Sequence, residues 1–277
     1  MENFAHEKFS IRAGEHRWSG TFAAIPFAIW FYLAIEGIAN VAEEAKEPQR
    51  DLPRGFLLAM ATLVILTAIT LFGAVGVAGW QAVVYPDPAN PGVASDSPLP
   101  LAIGHIVSRD SPFFLFLTGI GLVGLVASFH GILIVASRSI MELGRVRYAP
   151  AILGKVNART KTPVAALLAN MAVGLVALFT GRTSDIILIA VFGALTLYVL
   201  STAAVLRLRT TEPDLPRPYK TPLYPYTPII ALVLSLVALA AMVWQHPRLA
   251  LVYAAIVGVA WLAFALFVPA DRRTTFE

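Results

Sequence analysis

The chain has 277 residues, of which 57% are hydrophobic and 14% charged, with a formal net charge of +4 and no cysteine. That balance lies far from a soluble globular domain and places the chain among integral membrane proteins. It excludes a disulfide framework, a zinc–thiolate cluster and a thiol nucleophile, and the 21 Lys and Arg residues are spread between apolar runs rather than gathered into a nucleic-acid-binding face.

A helix needs roughly 20 apolar residues to cross a bilayer. Seven runs reach about that length with at most a single charged interruption: 20–42, 55–80, 111–137, 162–181, 186–206, 227–245 and 249–268. Gly and Pro recur inside them, as membrane helices tolerate, and none shows the alternation of a transmembrane barrel. The expected architecture is an all-α integral membrane protein with seven transmembrane helices. Fifteen Lys and Arg fall between spans on one side and six on the other. By the positive-inside rule the richer side is cytoplasmic, which puts the N-terminus of this chain outside and the C-terminus inside, in a multi-pass protein of the cell membrane.

Residues 1–19 are polar, carry Lys8, Arg12 and Arg17, and contain no apolar core of a signal peptide. They are expected to be an extracellular segment, with further helices preceding the chain. The first span, 20–42, is irregular. Pro26 removes a backbone hydrogen bond, and Glu36-Gly37 joins a charge to a helix-weakening residue, so the helix is expected to break near 33–37. Carboxylates at such depth commonly face a cavity, a proton path or a cationic ligand. Broken membrane helices expose backbone groups that bind substrate or ions. The competing expectation is a kinked packing helix with Glu36 neutral or paired.

Between the second and third spans, residues 81–110 form an outer loop rich in Pro, Gly and Asp, expected to be mobile. The third span holds Ser128 and His130. A histidine titrating near neutral pH suits proton coupling, while a packing histidine is the alternative. Ser137 and Thr196 carry hydroxyls that commonly bond their own helix backbone. Residues 138–162 have the spacing of an amphipathic helix lying along the inner membrane face, and 207–226 form a proline-punctuated, extended cytoplasmic loop. The last pair of spans, 227–268, leads to a short cytoplasmic tail at 269–277.

The segment Val41-Ala42-Glu43-Glu44-Ala45-Lys46-Glu47-Pro48-Gln49-Arg50-Asp51-Leu52-Pro53-Arg54-Gly55 resembles the amino acid-polyamine-organocation transporter superfamily, whose sixth helix ends in an acidic pair, a Lys-x-Pro-x-Arg turn and a Leu-Pro-Arg. The resemblance continues through Ala136-Ser137-Arg138, Asn157-Ala158-Arg159-Thr160-Lys161-Thr162-Pro163 and Arg217-Pro218-Tyr219-Lys220, so it covers residues 20–268. Within the superfamily, residues 25–37 and 121–131 are similar to ethanolamine permeases. Many relatives have glycine where this chain has Ala34.

What the resemblance implies is a LeuT-like inverted-repeat fold of twelve helices, of which this chain matches helices six to twelve. Residues 20–206 correspond to the five-helix second repeat and 227–268 to the two appended helices, with the first repeat absent. The implied activity is secondary active import of ethanolamine or a related small amine, or of an amino acid, coupled to a proton or sodium ion, with no cofactor or metal. Trp30, Phe31, Tyr32, Leu33, Ala34, Glu36 and Gly37 are the candidate substrate site. His130 and Ser128 are the candidate coupling residues. Glu43 and Glu44, with Arg50, Arg54 or Arg138, are candidate gating or anchoring pairs. A seven-helix receptor or a non-transporting membrane subunit fits the span count but leaves the motif at 41–55 unexplained, and no enzyme signature is present.

Overall fold

The computed structural model describes residues 17–87, 95, 97–217 and 219–268, and every regular element among them is helical. The polar segment 1–16, the tail 269–277 and Pro218 lie outside the described residues. Five helices are long and apolar enough to cross a membrane. They are α2 (Pro48–Ala78), α5 (Pro112–Arg145), α7 (Thr183–Thr211), α8 (Tyr226–Gln245) and α9 (Pro247–Phe267). The two remaining expected spans are apolar but shorter as continuous helices: Ala24–Asn40, which is interrupted, and α6 (Val164–Phe179).

The first span consists of α1 (Arg17–Phe31) and a 3₁₀ helix (Ile35–Glu44), separated by a turn over residues 32–34. Beyond it α2 starts with Pro48 at its first position, where a missing N–H costs nothing. Two short helices, α3 (Trp80–Val84) and α4 (Pro98–Gly104), occupy much of the expected outer loop. They pack on each other and on α2, with Ala82, Val83 and Ala102 buried and His105 Nε2 lying 3.4 Å from the Ala82 carbonyl. Part of the expected outer loop is thus regular helix whose apolar residues find partners; residues 88–94 and 96 lie outside the described residues.

The expected surface helix at 138–162 does not form. Instead α5 runs on to Arg145, and turns follow as far as Pro163. The cause is a pair of glycines in direct backbone contact. A Cβ on Gly144 would stand 2.3 Å from the Gly154 nitrogen, and one on Gly154 would stand 2.6 Å from the Arg145 nitrogen. Arg147, at φ 60°, turns the chain to make that contact, and Tyr148 then meets Phe264 of α9 edge-on at 5.1 Å. The loop after α7 is likewise folded rather than extended. Arg217 donates to the carbonyls of Leu208, Glu212, Pro213 and Leu215, and so gathers the chain around the end of α7.

The core lies where α1, α7, α8 and α9 meet. Leu188, Val191, Phe192 and Leu195 of α7 pack with Met242 of α8, and Ile29 of α1 and Leu33 of the turn after it cover them. Phe192, 1% exposed, stacks on Tyr253 of α9 at 5.6 Å. By contrast α2 has no buried residue, and residues 118–132 of α5 are exposed around nearly the whole helix. Such surfaces need lipid or other protein around them.

Candidate functional site

The break in the first span has a definite backbone geometry. The Tyr32 N–H bonds to the Ile29 carbonyl at 3.0 Å and the Leu33 N–H to the Trp30 carbonyl at 3.1 Å. The next bond in the series joins the Gly37 N–H to the Ala34 carbonyl, so among the described residues it passes over the carbonyls of Phe31, Tyr32 and Leu33. Ala34 stands at φ 75°, in the left-handed region that favours glycine, and this interrupts the helical path before the 3₁₀ helix starts. At membrane depth such backbone survives where it lines a cavity or is covered by protein.

Glu36 lies in the first turn of the 3₁₀ helix. Its Oε2 accepts a hydrogen bond from the Tyr198 hydroxyl of α7 at 3.2 Å. The carboxylate is half-buried, and so is the phenol. One residue on, buried Gly37 lets the 3₁₀ helix press against α5: a Cβ there would stand 2.9 Å from Val135 Cγ2. The 3₁₀ helix is therefore held from α7 at one residue and from α5 at the next.

The aromatic candidates lie around the break. Trp30 and Phe31 are exposed, and Phe31 meets Tyr32 edge-on at 5.8 Å. The Leu33 side chain turns toward the core beside α7. Ser128 and His130 are exposed on α5, and the side-chain hydrogen bond of Glu36 goes to Tyr198 rather than to either of them. Ser137 is buried and bonds to the Ile134 carbonyl at 2.9 Å, and Thr196 bonds to the Phe192 carbonyl at 2.8 Å; both hydroxyls serve their own helices.

At the far end of the 3₁₀ helix the structure selects one pair among the gating candidates. Arg138 of α5 donates to the Asn40 carbonyl at 2.8 Å and forms an ion pair with Glu44. Arg50 pairs with Glu47 at 3.3 Å instead, and Arg54 is exposed one turn further along α2. The side chain of Glu43 lies outside the described residues. Tyr198, absent from the sequence candidates, is the partner that sequence reasoning missed: a single tyrosine in an apolar helix, 162 positions from Glu36, carries no local signal.

The amino acid permease family model matches residues 2–275. The chain is 26% identical over 219 residues to an uncharacterized transporter of Rhizobium meliloti, covering 78% of this chain and 45% of that protein. It is 27% identical over 234 residues to the branched-chain amino acid permease BcaP of Bacillus subtilis, covering 82% of this chain and 46% of that one. It is 28% identical over 199 residues to the vacuolar cationic amino acid transporter 2 of Arabidopsis thaliana, covering 70% and 29%. The chain thus spans less than half the length of these relatives, all of which are named as transporters or permeases. The all-helical, membrane-length architecture and the match along nearly its entire length agree: the chain belongs to the amino acid permease family.

Proposed function

We propose that this chain forms the second half of a secondary transporter of the cell membrane that imports small amine-bearing solutes, amino acids foremost. In this reading residues 20–206 are the second repeat and 227–268 the appended pair, with the N-terminus of the chain outside and the C-terminus cytoplasmic. The observation that carries the reading is the break at 32–34 with the Glu36 carboxylate two residues beyond it. Carbonyl oxygens and a carboxylate in one place suit an ammonium group, whose transfer to mid-membrane is costly without such partners. In this reading the aromatic faces of Trp30 and Tyr32 add cation–π attraction of about 0.5 to 2 kcal/mol.

Both an amino acid and ethanolamine present that ammonium. Ethanolamine is the second reading, favoured by the presence of a carboxylate on the site side and by the resemblance of residues 25–37. Named relatives that handle branched-chain and cationic amino acids support the first. Uptake of radiolabelled amino acids and of ethanolamine by cells expressing the complete reading frame separates them. Amino acid uptake that excess ethanolamine does not inhibit supports the first reading; ethanolamine uptake that amino acids do not inhibit supports the second. Absence of both rejects the site.

In this mechanism the solute enters beside the break, and the 3₁₀ helix moves relative to α5 and α7 as the site changes sides. Each contact that holds that helix is then part of the gate: Tyr198 at Glu36, and Arg138 at Asn40 and Glu44. Coupling to a proton or sodium ion completes the cycle. His130 and Ser128 are its candidates on α5, and the test is whether His130→Gln flattens the pH dependence of uptake.

A further inference from the structure

The turns between α5 and α6 carry a chemistry that the transport site does not use. Residues 143–163 contain Arg145, Arg147, Lys155, Arg159 and Lys161 and no acidic residue. Arg145 is neutralised by Glu142 at 2.8 Å. The other four are exposed, and among the described residues none of them forms an ion pair. Interleaved with them are exposed apolar side chains: Val146 at 52%, Ile152 at 60% and Val156 at 39%.

Three observations argue for a position of this segment at the depth of the lipid headgroups. Tyr148 packs on Phe264, three residues before the end of α9, a helix of membrane-crossing length. The Gly144–Gly154 backbone contact folds the chain back onto the end of α5 instead of letting it extend into water. On the other flank, α6 has 16 residues and so a length of about 24 Å, less than the hydrocarbon thickness of about 30 Å. Residues 159–163, immediately before it, are therefore drawn to the bilayer boundary.

We infer that the α5–α6 turn is a docking surface for the anionic headgroups of the surrounding bilayer, with Ile152 and its apolar neighbours entering the acyl boundary and Arg147, Lys155, Arg159 and Lys161 holding lipid phosphates. Basic side chains beside a membrane each strengthen attraction to anionic lipid by on the order of fivefold, and apolar neighbours add burial that a purely electrostatic loop lacks. Because Tyr148 joins this turn to α9, and Arg138 in the last turns of α5 holds the 3₁₀ helix, lipid composition at this face bears on the elements beside the transport site.

The absence of cysteine allows a single label. The test uses the chain with Ile152→Cys, or in a second preparation Val156→Cys, carrying an environment-sensitive fluorophore in nanodiscs of phosphatidylcholine with or without phosphatidylglycerol. The expected result is a blue-shifted emission, quenched by spin-labelled lipid, that requires phosphatidylglycerol and weakens in high salt. Adding Lys155→Gln, Arg159→Gln and Lys161→Gln is expected to raise the phosphatidylglycerol fraction needed for half the shift by at least about tenfold, with helical circular dichroism retained. Equal emission from both labels in the two kinds of disc overturns the inference. So does a shift produced by inorganic phosphate in phosphatidylcholine discs, or a shift that survives the triple substitution. None of these readouts depends on transport.

Discussion

The Tyr198 hydroxyl on α7 donates to Glu36 on the 3₁₀ helix at 3.2 Å, joining residues 162 positions apart. It is the only described contact that ties the carboxylate beside the helix break to the core-forming helix, among the described residues. Hydrogen bonds between membrane helices couple by about 0.6 kcal/mol on average, and a carboxylate acceptor strengthens the bond. Tyr198→Phe is therefore expected to lower unfolding stability in detergent by about 1 kcal/mol. Combined with Glu36→Gln, it should cost less than the sum of the two single substitutions; strict additivity in that double-mutant cycle contradicts the pair.

Gly37 and Val135 make a second prediction with a built-in rescue. A methyl group at Gly37 meets Val135 Cγ2 at 2.9 Å and Cγ1 at 3.3 Å, closer than packed carbons tolerate. Gly37→Ala should destabilise by about 1 to 3 kcal/mol, as overpacking does. Val135→Ala added to it should recover most of that loss. A Gly37→Ala protein as stable as the parent shows that the 3₁₀ helix does not rest on α5.

The Gly144–Gly154 contact is stricter, since the obstructing atoms are backbone and no rotamer can yield. Gly144→Ala is expected to displace the turn and to expose the lysines and arginines near it to faster proteolysis by trypsin. Gly124→Ala on the same helix, where an added Cβ meets nothing within 4 Å, should leave the digestion pattern unchanged. It should stabilise slightly, since alanine exceeds glycine in helix propensity by about 1 kcal/mol.

Phe192 anchors the core formed by α7, α8 and α9. It is 1% exposed and stacked on Tyr253. Inside lipid the loss on truncation is one of packing rather than of shielding from water, but a cavity remains. Phe192→Ala should therefore reduce thermal unfolding stability by about 3 kcal/mol. The exposed Phe129 of α5, substituted in the same way, should change it far less.

The spans were legible because a bilayer admits few ways to hide backbone, so length and the absence of charge carry most of the information. The break was legible in part: Glu36-Gly37 is costly inside an apolar helix and the chain turns just before it, at 32–34, whereas α1 continues through Pro26 as far as Phe31. The left-handed turn falls on Ala34, an alanine at φ 75°, between the contacts of Leu33 with the core and of Gly37 with Val135. Tyr198 could not be read, since its role exists only once α7 lies against the first span. The surface helix at 138–162 was misread because the charge spacing fits a helix while Gly144, Pro150 and Gly154 permit a tighter fold. Among the possible partners of Glu44, three arginines were equivalent in sequence, and only the approach of α5 to the 3₁₀ helix selects Arg138.

That selection leads to a prediction of its own. Arg138 joins Glu44 and the Asn40 carbonyl, so Arg138→Glu should loosen the far end of the 3₁₀ helix and accelerate hydrogen exchange at residues 38–44. Glu44→Arg in the same protein should restore part of the protection. Arg54→Glu should have no such effect. Exchange that responds equally to Arg54 and Arg138 indicates general solvation rather than a specific hold.

The central claim is that Glu36, beside the break at 32–34, recognises the ammonium group of the transported solute. The direct measurement is the concentration dependence of uptake by the complete reading frame carrying Glu36→Gln, compared with Glu36→Asp and the parent at equal membrane abundance. The account predicts that Glu36→Gln weakens apparent affinity for the amine substrate by about tenfold or more, corresponding to about 1.4 kcal/mol, while Glu36→Asp retains part of it. Unchanged affinity for Glu36→Gln across the pH range contradicts the account.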